Sequence, residues 1–149
     1  MDWGHRSFAV GPDGIRGSGV ILRRSGDVIS GFVFGKATRL RISDSRLSGV
    51  FAGISTDIKL SSSDREVQLR GDLPDLGRSV VVSSEWKLEV YSTTVAMNVL
   101  RGPSGVFRGE IKVGQRYSGA ELRLTECSPR ILWQRPELAL VLAIAPIAR

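Results

Sequence analysis

Between residues 38 and 124, apolar and polar side chains repeatedly alternate one by one, and no other feature constrains the fold as strongly. Thr38-Arg39-Leu40-Arg41-Ile42, Asp57-Ile58-Lys59-Leu60, Glu66-Val67-Gln68-Leu69, Lys87-Leu88-Glu89-Val90 and Glu121-Leu122-Arg123-Leu124 all follow the pattern. A period of two buries one face of a strand and leaves the other wet. Turn-forming residues divide these runs at Ser25-Gly26-Asp27, Ser43-Asp44-Ser45, Ser61 to Asp64, Ser83-Ser84, Gly102 to Gly105 and Gly114-Gln115. Such spacing is that of hairpins. No dozen residues before residue 129 hold a helical period, so the expectation is an all-β chain.

A repeat is superimposed on the alternation. Ser30-Gly31-Phe32-Val33-Phe34-Gly35, Ser48-Gly49-Val50-Phe51-Ala52-Gly53 and Ser104-Gly105-Val106-Phe107-Arg108-Gly109 share one pattern of Ser-Gly, two apolar positions and a closing Gly. A shift of 18 positions aligns Leu40 with Ile58 and Ile42 with Leu60. The unit reads as a strand-turn-strand module. A single-domain antiparallel barrel or sandwich accommodates such modules as hairpins; a short β-solenoid stacks them as rungs. The interruption at Asp72 to Gly77 favours hairpins. At 149 residues one domain is expected, able to bury roughly 68–70% of its unfolded surface without a disulfide or a metal.

Both ends depart from the pattern. Residues 1–16 are expected to form a mobile N-terminal segment. Residues 129–149 form an apolar C-terminal segment expected to pack on the sheet or complete it. Within it, Leu138, Leu140, Leu142 and Ile144 alternate with Ala139, Val141, Ala143 and Ala145, large against small, which predicts a strand buried on both faces. Pro136 is equally placed to open a short helix. Eight apolar residues are too few to span a bilayer, which takes about 20 in a helix. Met1 to His5 lacks the basic and apolar regions of a secretory signal, so a cytoplasmic protein with no membrane span is expected.

The composition narrows the chemistry. One cysteine, Cys127, and one histidine, His5, supply neither a zinc site nor a nucleophile-histidine pair. Neither Asp72 with Asp75 nor Glu85 with Glu89 has the setting of a catalytic pair. The glycines lack the spacing of a phosphate-binding loop. No enzyme activity, cofactor or metal is expected. The role that remains is a non-catalytic binding or structural module, self-associating as a homo-oligomer or binding another protein. Phe32, Phe34, Trp133, Leu138, Leu140, Leu142 and Ile144 are the expected interface.

The alternative reading follows from charge. The net charge is +6, with eight basic and four acidic residues over 1–47, five and seven over 48–100, and eight and four over 101–149. Arg39 and Arg41 are expected on one wet strand face, with Arg23, Arg24 and Arg123 as further members of an anion-binding surface. A row of guanidinium groups suits the phosphates of a nucleotide or nucleic acid; a solvated surface is the plain alternative.

Overall fold

The computed structural model describes residues 5–11, 13–84, 87–92, 95–101, 106–113, 116–125 and 135–145. Its strands are β1 (His5–Gly11), β2 (Gly14–Gly17), β3 (Val20–Ser25), β4 (Val28–Val33), β5 (Lys36–Ser43), β6 (Arg46–Phe51) and β7 (Ile54–Ser62). They continue as β8 (Glu66–Leu73), β9 (Gly77–Ser84), β10 (Lys87–Ser92), β11 (Val95–Arg101), β12 (Val106–Val113) and β13 (Arg116–Thr125). A helix, α1 (Pro136–Ile144), follows. Each strand pairs antiparallel with the next, and β1 pairs with β13 to close a barrel of 13 strands. In an up-and-down meander an odd count leaves the first and last strands pointing the same way. The closing pair is accordingly parallel, from His5↔Glu121 to Ala9↔Thr125.

A closed barrel is thus the form the hairpin modules take, not a solenoid. The segment 1–16, expected to be mobile, instead contributes β1 and most of β2 from His5 onward. The alternation reads as inside and outside. On β5, Thr38 and Leu40 are buried between exposed Arg39 and Arg41, and on β10 Leu88 and Val90 are buried beside outward Glu89. Charged outward positions occupy the wall where a lipid-facing barrel carries an apolar band. No helix among the described residues is long and apolar enough to cross a membrane.

The 18-residue repeat has a direct structural meaning. Phe34-Gly35 (φ 51° and 78°) and Ala52-Gly53 (φ 49° and 78°) form matching two-residue turns, the left-handed pairs that suit the twist of a hairpin. The amide of Ile42 donates to the Asp27 carbonyl at 2.8 Å, and 18 residues later Leu60 donates to Ser45 at 2.7 Å. Gly31 and Gly49 are also equivalent, at φ 145° and 137°. A Cβ on them would lie 1.9 Å from the Ile21 oxygen and 2.1 Å from the Arg39 oxygen. Both strands bend at a point where only a bare Cα lets the neighbour's backbone come so close. The third copy does not superpose: Gly109 lies within β12, opposite Val99 on β11.

Residues Pro136–Ile144 form a helix, not the expected strand. All nine residues of α1 are buried, with Leu138, Leu140 and Leu142 fully shielded and Ile144 1% exposed. It shares one core with Phe8, Phe51, Phe107 and the inward residues of every strand from β1 to β13. A helix apolar on all sides has no amphipathic period to reveal it, and its large-small alternation therefore imitates a strand. Wall side chains just fill a barrel of eight strands; thirteen enclose more, and a helix about 10–12 Å across occupies the difference.

Two outcomes are expected from urea unfolding. Leu140→Ala, which empties space inside α1's surroundings, should cost about 2–5 kcal/mol. Gly49→Ala should cost about 2–3 kcal/mol from backbone strain and the displaced Arg39 carbonyl. Unchanged midpoints would contradict, respectively, the helix as core and the bend at Gly49.

Candidate functional site

Four adjacent strands, β2 to β5, contain Arg16, Arg23, Arg24, Lys36, Arg39 and Arg41 and no Asp or Glu. The strands' alternation sorts these residues. Ile15, Leu22, Ile29 and Leu40 point inward, so Arg16, Arg23 and Arg39 stand on the outer surface with Arg41, all exposed. The pairing Arg23↔Ser30↔Arg39 sets two arginines in one row across β3, β4 and β5. They are two strand spacings apart, about 10 Å at the backbone, and Arg39 and Arg41 are about 7 Å apart along β5. None of Arg16, Arg23, Arg39 and Arg41 makes an ion pair among the described residues, whereas Arg46 on β6 holds both oxygens of Asp57, at 2.7 and 2.8 Å.

An aromatic ring lies within this basic field. Phe32 is 57% exposed, as is its cross-strand neighbour Ile21, and Ala37 continues the row on β5. The diagonal neighbours of Phe32 are Arg23 and Arg39, about 7–8 Å away in antiparallel pairing. The surface therefore offers a ring face between two guanidinium groups that make no ion pair among the described residues.

The remaining expected residues lie elsewhere. Arg24 does not join Arg23 on the outer face. It turns toward the barrel mouth, where its Nη1 lies 3.6 Å from Glu137 Oε1. Arg123 is exposed on β13, and β1 to β4 separate it from β5, so it does not extend the row of Arg39 and Arg41. Phe34 does not share a face with Phe32. It occupies a turn at positive φ and packs half-buried against the core. Leu138, Leu140, Leu142 and Ile144 are engaged inside the barrel, which leaves Phe32 as the exposed member of that set. Trp133 lies outside the described residues.

Three groups were not singled out from sequence. Arg16 and Ile21 join the face only through strand register, which pairs them with each other and Ile21 with Phe32. At the mouth of the barrel Glu137, 1% exposed, receives Arg135 Nη1 at 3.4 Å as well as Arg24, while Arg135 Nη2 donates to the Gly11 carbonyl at 2.6 Å. The one signal for this cluster was a pair of charges flanking Pro136, ahead of an uncharged run.

On the far wall Glu89 accepts from Lys87 Nζ and the Tyr91 hydroxyl, with Asn98 Nδ2 at 3.5 Å. The Lys87 ammonium, then the Tyr91 hydroxyl, holds the Glu89 carboxyl below its ordinary 4.5. Bonding to Glu89 raises Lys87 above 10.5 and Tyr91 above 10.0. These are outward-facing i, i+2 and i+4 positions of one strand, an arrangement that stiffens the wall.

A depressed carboxyl contributes stability above its unfolded pKa and loses it as pH falls through the folded value. The stability difference between the wild type and Glu89→Gln should therefore be constant across neutral pH and shrink below about 4.5. Urea titrations at several pH values measure this, and a difference that persists in acid would remove the charge-based account. Among protein-family models, curated proteins and solved structures, none matches this chain, so its function is read from its own residues.

Proposed function

We propose that the protein is a non-catalytic binding module whose outer face on β2–β5 takes single-stranded nucleic acid. The observation that carries this reading is the segregation of charge: the outer surface of four neighbouring strands carries Arg16, Arg23, Arg39 and Arg41, and none of these strands contains a carboxylate. A merely solvated surface mixes both signs, as β6 and β7 do with Arg46, Asp57 and Lys59. Arg23, Arg39 and Arg41 follow the phosphates as charge-assisted donors, and Phe32 between them supplies a platform for a base. A chain with a single cysteine suits a reducing compartment, so we place this role in the cytoplasm.

Self-association is the second reading, favoured by the exposed Ile21-Phe32 pair. It ranks lower because a two-fold contact through this face sets Arg23 and Arg39 against their own copies. The helix α1 already occupies the residues that such a contact was expected to use.

Fluorescence anisotropy with a short oligothymidylate separates the two. Binding should weaken with salt at roughly −0.7 log units per phosphate contacted. Arg39→Ala with Arg41→Ala should lower both the affinity and that slope. Phe32→Ala should cost about 1–3 kcal/mol, roughly 5- to 150-fold. An affinity indifferent to the arginine pair, together with a salt-resistant dimer that Phe32→Ala dissociates in light scattering, would replace the first reading with the second.

A further inference from the structure

The basic face ends in a recess of about 300 Å³ on the outside of β1, β2 and β3. Small residues, Ala9, Gly11 and Gly14, form its base; Arg16 and Arg23 flank it, with Asp13 at its edge. Gly14 lets the backbones of β2 and β3 approach closely at its base, since a Cβ there would come within 2.0 Å of the Leu22 oxygen. At Gly11 the situation is the reverse, because a Cβ would meet nothing within 4 Å. The backbone around the recess is anchored from within. Arg135 beside α1 donates to the Gly11 carbonyl at 2.6 Å, and the Arg24 amide donates to the Asp13 carbonyl at 2.7 Å.

We infer that this recess seats a terminal phosphate monoester of the bound strand and so fixes where one end of the nucleic acid lies. The inference rests on the reading of the β2–β5 face as a single-strand surface. The pair of guanidinium groups carries it. A phosphate monoester bears about −1.5 to −2 charges and three free oxygens. Its oxygens match two guanidinium groups lining one half-open recess, each able to bond two oxygens. A phosphodiester within a strand has one charge, which suits the single arginines met in turn at Arg39 and Arg41. Arg16 and Arg23 are diagonal neighbours across β2 and β3 through the pairs Gly14↔Arg23 and Arg16↔Ile21. Both line the recess, and neither makes an ion pair among the described residues. Asp13 at the edge offsets one of the two positive charges, so the seat depends on the hydrogen bonds of the two guanidinium groups. The volume is at the lower limit of small-ligand sites, about 300–1,000 Å³, which admits the end of a strand and not a folded element.

The test compares oligothymidylates of one length carrying a 5′-phosphate, a 3′-phosphate or hydroxyls at both ends. Anisotropy is read on the wild type, Gly11→Leu, Arg16→Gln and the Arg39→Ala, Arg41→Ala pair. A terminal phosphate should tighten binding to the wild type on the order of tenfold. Gly11→Leu fills the recess and should abolish that preference while hydroxyl-ended strands bind as before. Arg16→Gln, an exposed substitution that leaves the core intact, should also reduce the preference. The Arg39, Arg41 pair should weaken all strands and preserve the ratio. If hydroxyl-ended and phosphate-ended strands bind the wild type equally, or if the preference survives Gly11→Leu, the recess is not a phosphate seat, although the face still binds strands. If no strand binds at low salt, the face reading fails and the inference falls with it.

Discussion

Every other feature of this structure depends on filling the inside of a barrel too wide to fill itself. Thirteen strands enclose a lumen in which opposite walls do not meet with ordinary side chains. Water there would face Phe8, Leu47, Phe51, Ile58 and Leu69, all at or near complete burial. The helix α1 resolves this by presenting apolar side chains in every direction, with no polar residue from Leu138 to Ala145. A close-packed interior tolerates few voids, so the barrel's circumference and the helix's bulk have to agree. The bends at Gly31 and Gly49 matter for the same reason, because they let the wall close around a body of that size.

Inserting a helix into an apolar lumen raises the question of how its first turn is placed. Glu137 is buried at the mouth, beside the amide end of the helix where a negative charge is favoured, and it faces Arg24 and Arg135. Its Oε2 has no hydrogen-bond partner, so the cluster is not optimised for stability, and a buried ion pair is in any case weak evidence of it. Its clearer effect is positional. Arg24 belongs to β3, Arg135 reaches Gly11 on β1, and Glu137 begins the helix, so three distant parts of the chain meet at one rim. That rim is also where the outer recess lies, and the backbone exposed there is held by residues of the interior.

How much of this was legible in the sequence follows from which interactions are local. Strands were readable because inside and outside alternate at every residue, as at Arg39 to Ile42, and the turns at Gly26-Asp27 and Asp44-Ser45 were readable from their residue types, whereas Gly35 and Gly53 were read only as the closing positions of the repeat. The 18-residue repeat was visible, and it proves to be a pair of hairpins with equivalent bends. The helix was not, because an element surrounded by apolar walls leaves no polar face as a signature. Arg123 was grouped with Arg39 since alternation alone does not say how many strands lie between two others around a barrel. Phe34 was grouped with Phe32 since one turn, displaced by a residue, moves a side chain from the face of a strand to its end. Arg16 and Ile21 were missed for the converse reason, because only the register of β2 and β3 brings them beside Phe32.

The division between Arg23 and Arg24 joins the two halves of the argument. Adjacent in sequence, they point to opposite sides of one strand, and each finds a different electrostatic setting. Arg24 turns inward and is matched by Glu137, the single carboxylate that α1 contributes. Arg23 turns outward into a part of the wall where none of the strands β2–β5 supplies a carboxylate, and it makes no ion pair among the described residues. A cation that the fold needs internally is neutralised internally. Those left on the β2–β5 surface are not required by the core, since Ile15, Val20, Leu22, Ile29, Val33 and Leu40 fill it from the inward side of the same strands. Packing leaves these outward positions free to accept either sign of charge, and four consecutive strands are occupied by one sign only. The fold does not account for that choice, and it is on this choice that the proposed anionic ligand rests.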